Sequence, residues 1–205
     1  MEKIYNQGDY TYTLENDVWS VKLNEEVTDR NQTTYGKVLS EIDGFPVVCM
    51  NSTFENCTSL RKAPAIPESV NSLLYTFENC TSLTKAPIIP DGVKDMYCTF
   101  KDCTSLTQAP TIPQGVKYMS GTFYGCTSLT KAPTIPQGVE FITGAFMGCT
   151  SLTEAPIIPD GVKNMDGIFD GCTSLKLTSE YSKPSLSEQI TSAKAETRNF
   201  IIERK

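Results

Sequence analysis

Residues 115–137 read GVKYMSGTFYGCTSLTKAPTIPQ, and the same string with substitutions runs before and after them at a spacing of 23 residues. Its most constant part, Cys-Thr-Ser-Leu, begins at Cys57, Cys80, Cys103, Cys126, Cys149 and Cys172. Three residues earlier stand Phe54, Phe77, Phe100, Phe123, Phe146 and Phe169. Ala-Pro follows each Leu at Ala63, Ala86, Ala109, Ala132 and Ala155, and Ile-Pro follows at Ile66, Ile89, Ile112, Ile135 and Ile158. The copies close with Val70, Val93, Val116, Val139 and Val162, then Leu73, Met96, Met119, Ile142 and Met165. Val47 and Met50 fit the same register, so the repeated block spans about 42–176. Periodicity of this kind outranks any local reading of the chain.

One repeat cannot bury its Phe, Cys, Leu, Ile, Val and Met alone. Stacked repeats can, by forming a continuous apolar column. The expected architecture is a β-rich α/β repeat solenoid of about six turns, neighbouring turns lying about 4.8 Å apart. Proline has no N–H to give to a ladder, so the Ala-Pro-x-Ile-Pro arc should be extended and only partly paired. The more regular strand is expected on 115–123 of the middle copy. Pro-x-Gly, as at Asp91-Gly92 and Gln114-Gly115, reads as one turn. Asn56, Asn79, Asp102, Gly125, Gly148 and Gly171, each just before a Cys, read as a second, because these residue types tolerate positive φ.

A solenoid needs closed ends. In 1–41, Tyr10, Tyr12 and Leu14 alternate with polar residues, and Trp19, Val21 and Leu23 do so again after Glu15-Asn16-Asp17. This predicts an N-terminal β-hairpin cap, with Trp19 plugging the core. Residues 177–205 lack the repeat and read as a linker and an amphipathic helix. Ser185 with Glu188 forms a capping box, and Leu186, Ile190, Ala193, Thr197 and Phe200 share one face. That face can cover the last turn or support self-association through 185–203.

The pattern Phe-x-x-Cys-x-x-Leu-x-x-Ala-x-x-Ile-Pro-x-x-Val-x-x-Met resembles the BspA-like leucine-rich repeats. Here Ala-Pro-x-Ile-Pro adds a residue to the usual spacing and the segment before Phe loses one. The resemblance implies a leucine-rich-repeat right-handed superhelix with short parallel strands. It further implies a bacterial surface, secreted or virion protein that binds protein or glycan on a host or neighbouring cell.

Composition narrows the chemistry. The chain has 205 residues, no His and a formal net charge of −6. Without His there is no Ser-His or Cys-His dyad and no His-ligated metal. No carboxylate pair recurs and no Gly-rich phosphate loop is present, so neither an enzyme nor a cofactor is expected. A diffuse acidic charge argues against nucleic acid. No apolar run is long enough to span a membrane, and no export signal is visible near Met1. Sequons stand at Asn31, Asn51, Asn56 and Asn79.

The six column cysteines, Cys57 to Cys172, point their Cβ vectors the same way. They are expected to form a structural ladder of buried free thiols, not disulfides or a tetrahedral metal site. Cys49 and Cys98 fall outside that column and are expected to be more exposed. The hydroxyls of Thr-Ser are expected on backbone acceptors. What varies between copies is surface. Tyr97, Tyr118, Tyr124, Phe141 and Met147, with Lys94 and Lys117 beside them, fall in the middle turns. That mixture suits an interface centre and makes these residues the candidate partner-binding set. The alternative is an assembly component that docks through its C-terminal helix or a solenoid end.

Overall fold

The computed structural model describes residues 3–24, 32 and 34–176. Five strands come first: β1 (Lys3–Gln7), β2 (Tyr10–Glu15), β3 (Val18–Leu23), β4 (Glu41–Ile42) and β5 (Phe45–Cys49). They form one sheet in the order β1-β2-β3-β5-β4. The β2–β3 hairpin turns on Asn16 and Asp17, both at positive φ (51° and 63°), the pair of conformations that matches strand twist in a tight hairpin. β1 extends the hairpin to a meander, pairing Lys3 with Leu14 through Gln7 with Tyr10. Its burial is slight along its whole length, so the sequence carries no alternation to reveal it.

β3 then pairs in parallel with β5, through Trp19 with Val47 and Ser20 with Cys49. The cap is thus hydrogen-bonded to the first turn. The same ladder continues as single parallel bridges, Cys49–Ser72–Asp95–Tyr118–Phe141–Asn164. On the Ala-Pro arc a second set joins Lys85 to Gln108 and runs Lys131–Glu154–Lys176.

The nine-residue strand expected over 115–123 does not form. Tyr118 makes a bridge, and a chain of tight turns follows it. Amide N–H groups alternate in destination: Thr122, Tyr124 and Cys126 donate back three residues, to Met119, Gly121 and Phe123. Met119, Gly121, Phe123 and Gly125 donate to Phe141, Thr143, Ala145 and Met147 of the next repeat, at 2.7–2.9 Å. The backbone can fold this tightly because each repeat holds two left-handed residues. Asn56, Asn79, Asp102, Gly125, Gly148 and Gly171 occupy one such column, as their residue types predict. Ser52, Tyr75, Cys98, Gly121, Gly144 and Gly167 occupy the other, which Ser, Tyr and Cys in the early copies conceal. Among the described residues there is no α-helix. The helix expected over 185–203 lies outside them.

The core is the column foretold by the repeat. Phe54 through Phe169 stack ring on ring, with centroids 5.4–5.9 Å apart. Each later column Cys gives its thiol to a Phe carbonyl of the previous turn, as Cys80 does to Phe54 and Cys172 to Phe146. A buried threonine column, Thr53, Thr76, Thr99 and Thr122, was not foreseen. Its hydroxyls bond backbone carbonyls, Thr122 reaching Met96 at 2.8 Å and Met119 at 2.7 Å. With a carbonyl acceptor always in reach of its one proton, the hydroxyl is tolerable inside an apolar column. The Thr of Cys-Thr-Ser-Leu reaches a backbone carbonyl of the preceding turn, as Thr81 does to Thr58.

At the N-terminal end Trp19 is fully buried and its Nε1–H donates to Ile42 O at 3.0 Å. The rings that meet Phe54 directly are Tyr10 (6.2 Å) and Tyr35 (5.4 Å), not the indole. The eight cysteines are free thiols. Cys49 is half-buried, and Cys98 is buried at 7% exposure against 0–4% along the ladder, so both are more exposed than the column, as expected. The Cys98 backbone is left-handed (φ 51°), and its side chain lies beside Gly121, where a Cβ would stand 2.7 Å from its Sγ.

Candidate binding face

Parallel pairing in register sets equivalent residues of successive turns side by side. Two aromatic residues at one bridge position therefore meet. Tyr118 and Phe141 do so, with ring centroids 5.5 Å apart and planes 11° from parallel. The Lys163 ammonium lies 5.8 Å from the Phe141 centroid, within cation–π range. Glu140 stands between two lysines: Lys163 pairs with it closely and Lys117 at 3.6 Å. The hydrogen bond from Lys163, and then its charge, lower the Glu140 carboxyl below its usual range. Tyr118 remains 44% exposed.

The other candidates form separate groups. Tyr97 meets Tyr75 edge-on, centroids 5.3 Å apart, and its N–H is accepted by Asp95 Oδ1. Tyr124 lies under Lys101 at 5.8 Å, and Lys101 pairs with Glu78 at 2.7 Å in a partly buried bridge. Met147 is half-buried beside Gly144 and Gly167. Lys94 lies across Gly115. The structure thus brings Tyr118, Phe141 and Lys117 together and places Tyr97 and Tyr124 at two further positions. It adds Tyr75, Lys101, Glu140 and Lys163, which the sequence analysis did not select. The signal for them was present: Lys101 and Glu140 stand one full repeat from Tyr124 and Lys117, and Tyr75 and Lys163 stand one repeat less one residue from Tyr97 and Phe141.

A second surface lies on the Ala-Pro arc. One groove of about 390 Å³ is lined by Ala86, Pro87, Ile88, Pro110 and Pro113 among others, and one of about 300 Å³ by the equivalent 131–137 and 154–157. Ile88 and Ile157 are 88% and 78% exposed there. Among the described residues no three His, Cys, Asp or Glu side chains gather to hold a metal ion. No helix among them is long and apolar enough to cross a membrane.

Residues 48–176 match the BspA type leucine rich repeat region, in 6 copies. The chain belongs to that family. Solved structures agree. A leucine-rich repeat protein of T. pallidum is 29% identical, with a TM-score of 0.69 over 84% of this chain and 80% of that one. One from Bacteroides ovatus is 28% identical, TM-score 0.65, over 84% of this chain and 46% of its own. A leucine rich cell surface protein from Faecalibacterium prausnitzii is 24% identical, TM-score 0.56, and shares the fold over 85% of this chain and 53% of its own. The chain spans about half the length of the latter two. No curated protein matches it.

Proposed function

We propose that the protein is a non-enzymatic binding module displayed at a bacterial cell surface, and that it holds a protein or glycan of a neighbouring or host cell on its lateral face. The observation that carries this reading is the Tyr118–Phe141 stack, bordered by Lys117, Glu140 and Lys163 and left in contact with water. The core of these turns is already complete without the two rings. Exposed aromatic surface of this kind gains roughly 25 cal/mol per Å² when a partner covers it. The stack also holds each ring in place, so little side-chain entropy is lost on binding. Family membership supports the surface setting. Replacing Tyr118 and Phe141 together by alanine tests the assignment. Partner affinity should fall while the fold persists, and unchanged affinity overturns it.

A further inference from the structure

The N-terminal sheet has two edges, β1 and β4. β4 is only Glu41–Ile42, too short to offer much pairing. β1 is different. Lys3–Gln7 is exposed at every residue and carries no Pro, Gly or bulge, the features that usually blunt an edge. Its one charge, Lys3, is taken up by Asp43. Gln7 and Tyr10 flank the two-residue turn Gly8-Asp9 and so form a hydrogen-bonded pair, and alternation makes Tyr5–Tyr12 and Lys3–Leu14 the next. The Asn24 N–H, bonded to Asp9 O at 2.8 Å, agrees with this phase, because it turns the odd-numbered residues from Asp9 to Glu15 toward β3. The N–H and C=O groups of Ile4 and Asn6 therefore point off the edge. A line of rings ends there too. Phe54, at the end of the core stack, meets Tyr10, Tyr10 meets Tyr12, and Tyr12 meets Tyr5, each at 6.2 Å. The first three rings are buried, whereas Tyr5 is 39% and its neighbour Ile4 61% exposed.

We infer that β1 is the contact between two copies of this chain, paired antiparallel, edge to edge, about a two-fold axis at Tyr5. The register is self-complementary. Ile4 stands opposite Asn6 of the second copy, and each such pair exchanges the two backbone bonds left open on β1. Tyr5 meets Tyr5 of the second copy as a non-hydrogen-bonded pair, the closer kind, so the line of rings runs on across the axis. Lys3 falls opposite Gln7, so no like charges meet. A second copy is the occupant that supplies all three matches at once. The two-fold closes after two chains, because each offers one such edge. The contact is small, which makes the pairing weak and reversible. It lies in the N-terminal sheet and is independent of the Tyr118–Phe141 face.

Light scattering on the full chain tests it, from about 1 µM to about 1 mM. The mass should rise with concentration from one chain to two and no further. Tyr5→Lys sets like charges against each other on the axis, and Asn6→Pro removes an outward N–H at an edge, where proline is tolerated. Each should weaken pairing at least about tenfold, with Trp19 emission unchanged. Tyr118→Ala/Phe141→Ala should pair like the wild type. A single-chain mass throughout overturns the proposal, as do masses beyond two chains. A dimer that survives both β1 variants, or one lost in the lateral-face variant, places the contact elsewhere and also overturns it. Should one β1 variant unfold, the other and the wild-type mass decide the matter.

Discussion

Cys126 gives its Sγ–H to the carbonyl oxygen of Phe100, 3.1 Å away in the preceding turn. The same carbonyl already accepts the Cys103 N–H at 3.1 Å. A thiol is a weak donor, so the bond completes the site without being essential to it. The volume of the sulfur matters more, because the side chain is fully buried in the core. Cys126→Ala should cost about 1–2 kcal/mol and Cys126→Val less, measured by chemical denaturation. Equal loss from both would assign the role to the S–H donor instead.

Thiol reactivity should divide the cysteines sharply. The thiolate is the reacting species, and burial keeps the ladder thiols protonated and out of reach. In native protein at about pH 8, alkylation should modify half-buried Cys49 first and Cys98 more slowly. The ladder from Cys57 to Cys172 should react only after denaturation. Mass spectrometry of partly labelled protein reads the order directly, and early labelling of Cys103 or Cys126 would contradict it.

Stability should fall in alkali. Burial is the largest cause raising Cys80, Cys103 and Cys126 well above the usual thiol value of 9.0, with neighbouring thiols adding to it, and burial pushes Cys172 up to about 12. The unfolded chain releases these protons from about pH 9, while the folded chain retains them. Their contribution is therefore complete below about pH 9 and is lost as pH rises toward 12. Burial also raises the Tyr10 and Tyr12 phenols, an effect of the same sign. The melting temperature should be level from about pH 7 to 8.5 and decline steadily above 9. A level profile to pH 11 would contradict the account.

Much of this was readable in the chain because the repeat fixes which residues share a column. Phe, Cys and Leu at one spacing could only stack, and the Tyr10/Tyr12 and Trp19/Val21 alternation could only be a half-buried hairpin. The thread of the backbone between them was less legible. A stretch such as 115–123 has strand composition, yet Gly121 and Gly125 bend it into successive turns. The buried hydroxyl of Thr122 was hidden because Thr is ordinary in an exposed strand, and only the neighbouring carbonyls of Met96 and Met119 make it a core residue. The candidate face was found as columns. Which rings touch depended on the offset between turns, so Tyr118 and Phe141 met while Tyr97 turned to Tyr75.

The second left-handed column can be separated into its parts by two substitutions. At Gly144 (φ 59°) an added Cβ meets nothing closer than Met147 Cβ at 3.9 Å, so Gly144→Ala should show backbone strain alone, about 1 kcal/mol. At Gly121 (φ 63°) the added Cβ also stands 2.7 Å from the Cys98 sulfur, which is buried. Gly121→Ala should therefore cost about 1–2 kcal/mol more. Adding Cys98→Gly should restore most of that difference. Equal losses at the two glycines would show that the sulfur moves aside freely.

The central claim is that the Tyr118–Phe141 face holds a macromolecule on another cell. Its most direct test is a titration of fluorescently labelled full chain on intact bacterial and epithelial cells, beside Tyr118→Ala/Phe141→Ala. The account predicts saturable binding by the wild type to one of them and at least about a tenfold loss of affinity in the variant, with Trp19 emission unchanged. Identical saturation curves for the two proteins, or no saturable binding to either cell type, would contradict it.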